Sequence, residues 1–283
     1  MFTTNPFTEL LASIPSQVMQ GYVILMVILV IGGTVLDMMH KKSAKYFFEN
    51  AKRAQKNAKR TVSSGEKIGL AVSTVASEVL TSSEFCNPKR RMSHLLTMYG
   101  FVIFVVTSAI MIFGYTAPGS VTPTILPQLW HIGAIMLCVG GYWFWFFIRV
   151  DVSAEGLTWY RFERADLFIL SLLATASFAL IWSYLQSKGT PVWTTIAFAL
   201  FVISSTTLFG SVLWSKFAHM FFKPAAAFQK KITKADGSME NLPKDYDLSS
   251  PEVHKMFPDI PMYMGKNPPN MGLGIKREGP SHY

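Results

Sequence analysis

Five long apolar segments constrain the fold of this chain more than any other feature. Each is long enough to cross ~30 Å of hydrocarbon as an α-helix, for which about 20 apolar residues suffice. The sequence therefore predicts an all-α integral membrane protein, built as a bundle of five transmembrane helices. The predicted spans run from about Gln17 to Met39, Ser93 to Tyr115, Leu129 to Val150, Asp166 to Leu185 and Val192 to Phe222.

Composition supports the membrane assignment. Half of the residues are hydrophobic and only 15% are charged, which is too apolar for an ordinary soluble domain. The net charge of +9 concentrates between the first two spans and in the C-terminal tail. No nucleic-acid recognition motif accompanies this charge, so nucleic-acid binding is not predicted. Cys86 falls in a loop and Cys138 inside a span, so neither a disulfide nor an iron–sulfur cluster is expected.

The distribution of lysine and arginine sets the predicted orientation. The N-terminus and the second connection contain neither, whereas the first connection, the third connection and the tail hold most of them. Because basic loops stay inside, we expect a periplasmic N-terminus and a cytoplasmic C-terminus in a bacterial inner membrane. The chain then divides into a periplasmic N-terminus (1–16), a first span (17–39), a basic cytoplasmic loop (40–92), four further spans (93–222) and an extended cytoplasmic tail (223–283).

The basic cytoplasmic loop is itself predicted to be helical. An alanine-rich stretch from Lys41 to Arg60 has few helix breakers and reads as a basic helix, either solvated or lying against lipid headgroups. Residues 63–66 break it, and a milder amphipathic helix follows from Ile68 to Leu80.

Two histidines are predicted to lie at the same membrane face. His94 begins the second span, and His219 ends the fifth, just before Pro224, which is expected to stop the helix. Neutral imidazoles on two facing helices are what a low-spin b-type haem needs as axial ligands of its iron. The sequence therefore predicts one b-type haem held by His94 and His219, although either residue alone is as readily a hydrogen-bonded structural histidine.

The residues around these histidines suit a haem. Ser211 and Ser215 precede His219 at helical spacing on one face, where small side chains leave room for a flat macrocycle. Arginine pairs well with carboxylates such as the haem propionates. The cations at the expected depth of the propionates are Arg90, Arg91, Arg149 and Lys216. The tendency of basic residues to stay on the cytoplasmic side explains these four cations without a haem.

A third histidine lies at the opposite side of the membrane. His131 stands near the outer start of the third span, and the helix length from there to Arg149 is roughly 27 Å at about 1.5 Å per residue. It cannot share a metal with the other two. We consider it a candidate for bordering a quinone site; the alternative is an interfacial histidine beside Trp130. His40, at the inner end of the first span, is a reserve haem ligand.

Four runs of sequence carry a family resemblance: residues 83–91, 94–101, 140–151 and 214–228. They resemble the membrane protein associated with dissimilatory adenylylsulfate reductase of sulfur-oxidising bacteria. The similarity covers about residues 60 to 235. More remotely, five spans with histidines on the second and fifth are similar to the membrane subunits of nitrate reductase gamma type.

The resemblance implies a role. A soluble reductase with flavin and iron–sulfur subunits joins sulfite and AMP, and its membrane anchor passes the released electrons to the quinone pool, here through one b-type haem. The anchor would be a non-catalytic or quinone-reactive subunit. The remote relatives stack two haems; here His94 and His219 match the inner pair, whereas residues near Phe104 and Phe201, where the outer pair would stand, are apolar.

Two alternatives come from other functional classes. A haem-free anchor would only tether the soluble reductase, with the basic inner surface docking an acidic partner. A small transporter is disfavoured, because neither paired repeats nor charged groups in mid-membrane are evident.

Overall fold

The computed structural model is all-helical in the part of the chain it describes, which comprises residues 1–40, 43–83, 85, 87–117, 120–152, 155–215, 217, 219–240, 242 and 250–259. Short 3₁₀ turns follow α1 (Leu10–Ala12) and precede α7 (Arg164–Asp166), and π-helical turns extend α4 (Val75–Leu80) and α6 (Phe144–Ile148). The helices are α1 (Pro6–Glu9), α2 (Ser16–His40), α3 (Ser43–Lys56), α4 (Ser64–Thr74), α5 (Pro88–Gly114), α6 (Ile125–Trp143), α7 (Leu167–Ser187), α8 (Pro191–Gly210), α9 (His219–Ala235) and α10 (Pro251–Met256).

Five of these helices are long and apolar enough to cross a membrane, namely α2, α5, α6, α7 and α8. The prediction of an all-α membrane bundle with five spans is therefore confirmed. We call the end of the bundle that carries α3, α4 and α9 the basic end, and the end that carries α1 the N-terminal end.

The tightest helix contact joins α5 and α6 through glycines. A Cβ atom added at Gly133 would stand 2.8 Å from the Phe104 backbone nitrogen, and one added at Gly100 would stand 2.8 Å from the Gly133 carbonyl oxygen. Nearer the basic end, the Ser93 hydroxyl donates to the Gly140 carbonyl oxygen at 2.7 Å. In lipid, where apolar side chains gain nothing by leaving the solvent, such close backbone approach is what holds helices together.

Helix α7 adds to this pair by packing and by polar contacts within the bundle. The Leu173 side chain fills the space left by Gly141, where an added Cβ would come within 2.6 Å of it. The Tyr142 hydroxyl on α6 lies 2.9 Å from Ser177 Oγ on α7. Aromatic stacking of Trp182 on Phe201, with ring centroids 5.6 Å apart, then joins α7 to α8.

Helix α2 is the most loosely attached of the spans. Only Met19, Met26 and Asp37 of its 25 residues are buried. It is held at a few points: the Tyr22 hydroxyl lies 2.8 Å from Ser205 Oγ on α8, and Gly33 packs against Val212. Between these points α2 borders an apolar cavity of about 620 Å³.

The first residues of the chain cap the N-terminal end. Asn5 begins α1 by accepting a hydrogen bond from the Phe7 backbone N–H at 3.0 Å, and its side-chain amide donates to Thr122 Oγ1 at 3.1 Å. The buried Phe7 ring lies edge-on between Trp130 and Trp182, with centroids 6.0 and 5.5 Å away. The periplasmic segment predicted at residues 1–16 is thus packed onto the bundle.

At the basic end, α3 and α4 pack with α9 into a small helical layer. Ser63 begins α4 by accepting from the Glu66 N–H, so this helix starts slightly before the predicted Ile68. Arg60 makes a bidentate pair with Glu66 and donates to the Ala235 carbonyl oxygen at 2.6 Å. The predicted extended tail therefore begins with a helix, and only after Ala235 does the described chain leave it.

The Arg60–Glu66 pair is the best-defined ionic contact in this layer. The hydrogen bonds from Arg60 hold the pKa of the Glu66 carboxyl below its ordinary value, and the pKa of Arg60 is raised by the same contact. At pH values above the ordinary carboxyl pKa, the pair stabilises this helical layer. That stabilisation is lost as the pH falls through the lowered pKa of Glu66.

Substituting Gly133 by alanine tests the glycine contact. We expect Gly133→Ala to lower the free energy of unfolding by about 1–3 kcal/mol, because the new methyl group meets backbone atoms that cannot move aside. The matched control is Gly32→Ala on α2, where an added Cβ meets nothing within 4 Å. Thermal unfolding in detergent would compare them, and equal stabilities would refute the close approach of α5 and α6.

Candidate functional site at the basic end

His94 lies in the second turn of α5, where the sequence predicted a span to begin. Its Nδ1 atom is 3.1 Å from Ser82 Oγ, and the Phe85 ring centroid is 4.9 Å from the imidazole centroid. The Arg91 side chain supports the same segment, because its Nε–H donates to the Thr81 carbonyl oxygen at 2.7 Å. The imidazole is therefore held by the chain that precedes α5.

Phe85 also connects this region to α9. The Lys223 Nζ atom lies 4.8 Å from the ring centroid, and the Arg90 guanidinium carbon lies 5.5 Å from it. His219 is the first residue of α9, one turn before Lys223. The structure thus brings the start of α9 to the ring that packs on His94. The side chains of His219 and Lys216 lie outside the described residues, so the pairing of the two imidazoles stays a prediction.

The fifth span is shorter than predicted. Helix α8 ends at Gly210, turns follow, and a helix begins again at His219. His219 therefore starts a second helix and does not end the span. Pro224 lies inside α9, in its second turn, where the missing N–H removes a single helical hydrogen bond. The apolar residues after Gly210 suggested a continuous span, because hydropathy alone does not indicate where a helix ends within an apolar segment.

Ser211 and Ser215 consequently lie in the turn and share no helix with His219. Both are buried. Ser215 Oγ accepts a hydrogen bond from the Phe217 N–H at 3.2 Å, whereas Ser211 Oγ has no hydrogen-bond partner among the described residues. Their neighbour Val212 packs directly on Gly33 of α2. The turn that contains Ser211 and Ser215 therefore packs on α2, whereas the sequence predicted that these serines leave space for the haem macrocycle.

Arg149 is committed to the connection between α6 and α7. Its side chain is 0% exposed, and the guanidinium donates to the Thr158 and Arg161 carbonyl oxygens at 2.7 and 2.8 Å. It also pairs with Asp166 at 2.5 Å and lies 4.2 Å from the Trp145 ring centroid. Arg149 is therefore unavailable to a haem propionate, contrary to the prediction.

Sequence reasoning missed Asp166 as the partner of Arg149. The signal was present: Arg149 ends one span and Asp166 begins the next, so the connection between them brings an arginine and an aspartate to the same membrane face. Ser82 and Phe85, which hold His94, carried no comparable signal, because their approach depends on the turn that precedes α5.

His131 is enclosed by the protein. It is 0% exposed, its Nδ1 atom lies 2.6 Å from the Pro127 carbonyl oxygen, and its Nε2 atom lies 2.8 Å from Ser183 Oγ. The imidazole therefore donates from Nδ1 to the carbonyl and accepts at Nε2 from the serine. This favours the structural alternative over a quinone contact. His40, the reserve ligand, is the exposed last residue of α2.

The described residues do not form the haem-binding site that the sequence predicted. Arg149 is bound elsewhere, and the two serines stand in a turn against α2. A haem at this end would depend on His94 and on His219, whose side chain lies outside the described residues.

The surface of the basic end is strongly cationic. Acidic side chains in its helical layer are few: Glu49 lies 3.8 Å from Lys45, Glu66 is paired with Arg60, and Asp236, just after α9, is buried. We call the exposed cations of this layer the basic surface. It comprises Lys45, Lys52, Arg53, Lys56, Lys59, Arg60, Lys67, Lys230 and Lys234.

Comparison with known protein families, with characterised proteins and with solved structures returns no match to this chain.

Replacing Arg149 by leucine tests the pairing that organises the α6–α7 connection. We expect Arg149→Leu to lower the free energy of unfolding by about 3–5 kcal/mol, because Asp166 would be left as an uncompensated buried charge. The control is Arg161→Leu, whose side chain is 67% exposed and should matter by no more than about 0.5 kcal/mol. Denaturation in detergent measures both, and similar stabilities would refute a structural role for Arg149.

Proposed function

We propose that this protein anchors a soluble cytoplasmic oxidoreductase at the membrane and passes its electrons to the quinone pool. The partner implied by the resemblance is adenylylsulfate reductase, with its flavin and iron–sulfur subunits. The observation that carries the proposal is the basic surface, which is fixed at one end of a five-span bundle.

The basic surface suits a protein partner because its backbone is held in place. Lys59 N–H donates to the Asp236 carbonyl oxygen at 2.9 Å, and the Lys231 ammonium group donates to Ser77 Oγ at 2.8 Å. The first bond ties the α3–α4 connection to the end of α9, and the second ties the π-helical turn after α4 to α9, so the exposed cations of this layer are held in fixed relative positions. A fixed cationic surface steers an acidic partner toward one orientation.

The same charge supports an orientation. Basic segments beside membrane spans remain in the cytoplasm, which would place the basic end inside and the N-terminal end in the periplasm of a bacterial inner membrane. A cytoplasmic reductase then meets the basic surface, and lipid surrounds the apolar exterior of the spans.

The haem-free tether is the second candidate. It is favoured by the commitment of Arg149 to Asp166 and by the turn that separates Ser211 and Ser215 from His219. In this version the anchor holds the reductase beside the quinone pool and carries no redox group of its own.

Charge reversal on α3 tests docking. We expect K52E/R53E/K56E to weaken binding of purified adenylylsulfate reductase roughly tenfold or more at low salt, with the difference shrinking as salt screens the surface. Binding would be measured with the anchor in nanodiscs. The control K52R/K56R keeps the charge and should bind like the unaltered protein. Equal binding by the reversed and control variants, at every salt concentration, would refute the basic surface as the docking site.

An absorbance spectrum decides between the haem-bearing carrier and the tether. If a haem is bound, the purified protein shows a reducible b-type band that disappears in His94→Ala and in His219→Ala, because each removes an axial ligand. His254→Ala, in α10, serves as the control and should leave the band unchanged. A colourless protein that still binds the reductase would overturn the haem and leave the tether.

A further inference from the structure

The cavity beside α2 is long and apolar, and protein side chains line both of its ends. Its wall on α2 runs from Val18 to Ile31, which is about 20 Å along the helix at about 1.5 Å per residue. Phe7 and Leu10 of the N-terminal cap line one end, and Phe217, from the turn after α8, lines the other. A volume of about 620 Å³ lies within the range of ligand sites.

The wall of the cavity offers no charge to a ligand. Among the described residues that line it there is no aspartate, glutamate, lysine, arginine or histidine. Its four hydroxyl groups are already engaged within the protein. Tyr22 lies 2.8 Å from Ser205 Oγ, and Ser205, Ser108 and Thr175 each donate to a carbonyl oxygen of their own helix at 2.7–2.8 Å.

These two properties select the chemistry of an occupant. A phospholipid must keep a charged headgroup at the membrane surface, and the described lining residues include no charged partner for one. A neutral lipid that lies wholly at hydrocarbon depth has no such requirement. Its long apolar chain would replace the contacts that α2 lacks with the rest of the bundle.

We propose that this cavity holds the isoprenoid tail of a membrane quinone, between α2 and the face of α5 that carries Phe104, Val105 and Ala109. The proposal rests on the proposed function for the identity of the lipid. It places the quinone tail beside α2, away from the enclosed His131. Entry is lateral, through the sparse contact between α2 and α5.

Filling the cavity tests the site. Val105 lines it, whereas its neighbour Val106 is 48% exposed and faces away. The protein is purified in mild detergent from a host that makes isoprenoid quinones, and bound lipids are extracted and quantified. We expect the unaltered protein and Val106→Trp to retain quinone, and Val105→Trp to retain about tenfold less, because the indole occupies the position of the tail.

If Val105→Trp does not fold, the affinity of the unaltered protein for two quinones tests the same site. A long-chain isoprenoid benzoquinone should bind at least about tenfold more tightly than the same ring without a tail, because each buried methylene adds affinity. Ala109→Phe should reduce this preference. Equal affinity for the two quinones, equal retention by the two tryptophan variants, or a phospholipid as the lipid lost in Val105→Trp would each overturn the proposal.

The outcome is separable from that of the proposed function. Docking of the reductase on the basic surface is measured without added quinone. If docking is intact and the quinone tests fail, only the cavity assignment falls. If the quinone tests succeed and the reductase does not bind, the site stands and the proposed partner falls.

Discussion

The close approach of α5 and α6 is the contact on which the rest of the bundle depends. In hydrocarbon, helices gain little by hiding apolar side chains from lipid, so backbone proximity and shape complementarity decide which pair forms. Gly100 on α5 and Gly133 and Gly140 on α6 supply that proximity over two turns of α6. The faces of α6 that remain then receive α7, and α7 receives α8. Helix α2 comes last in this order and makes the fewest intimate contacts, which explains why the large cavity lies beside it.

At the basic end a different kind of interaction takes over. Here the chain leaves the hydrocarbon, and polar contacts fold the connections. Arg149 gathers Thr158, Arg161 and Asp166 around one buried guanidinium, so the α6–α7 connection has a polar centre where a soluble domain would have an apolar one. The layer of α3, α4 and α9 is held by a hydrogen bond from Arg60 to the C-terminal end of α9 and by the Arg60–Glu66 pair.

Hydropathy predicted the number of spans and the all-α class, because the thickness of the membrane sets a minimum length for each apolar segment. It could not predict the end of the fifth span at Gly210, since apolar residues such as Val212, Leu213 and Phe217 continue beyond it. The predicted site depended on that error: Ser211 and Ser215 were aligned with His219 by helical spacing that the backbone does not keep. Helix α5 begins at Pro88, capped by Asn87, which is five residues before the predicted start at Ser93, so His94 lies in its second turn and not at its beginning. Its contacts with Ser82 and Phe85 required the path of the intervening turn.

The cap formed by Asn5 and Phe7 has a consequence for biogenesis. Its partners Thr122, Trp130 and Trp182 are synthesised long after the cap residues themselves have left the ribosome. The amino-terminal segment must therefore wait, without its final contacts, until the fourth span has been inserted. The cap can therefore pack onto the N-terminal end of the bundle only after these spans are in place. A bulky fusion at the amino terminus would interfere with this packing and leave insertion of the individual spans unaffected.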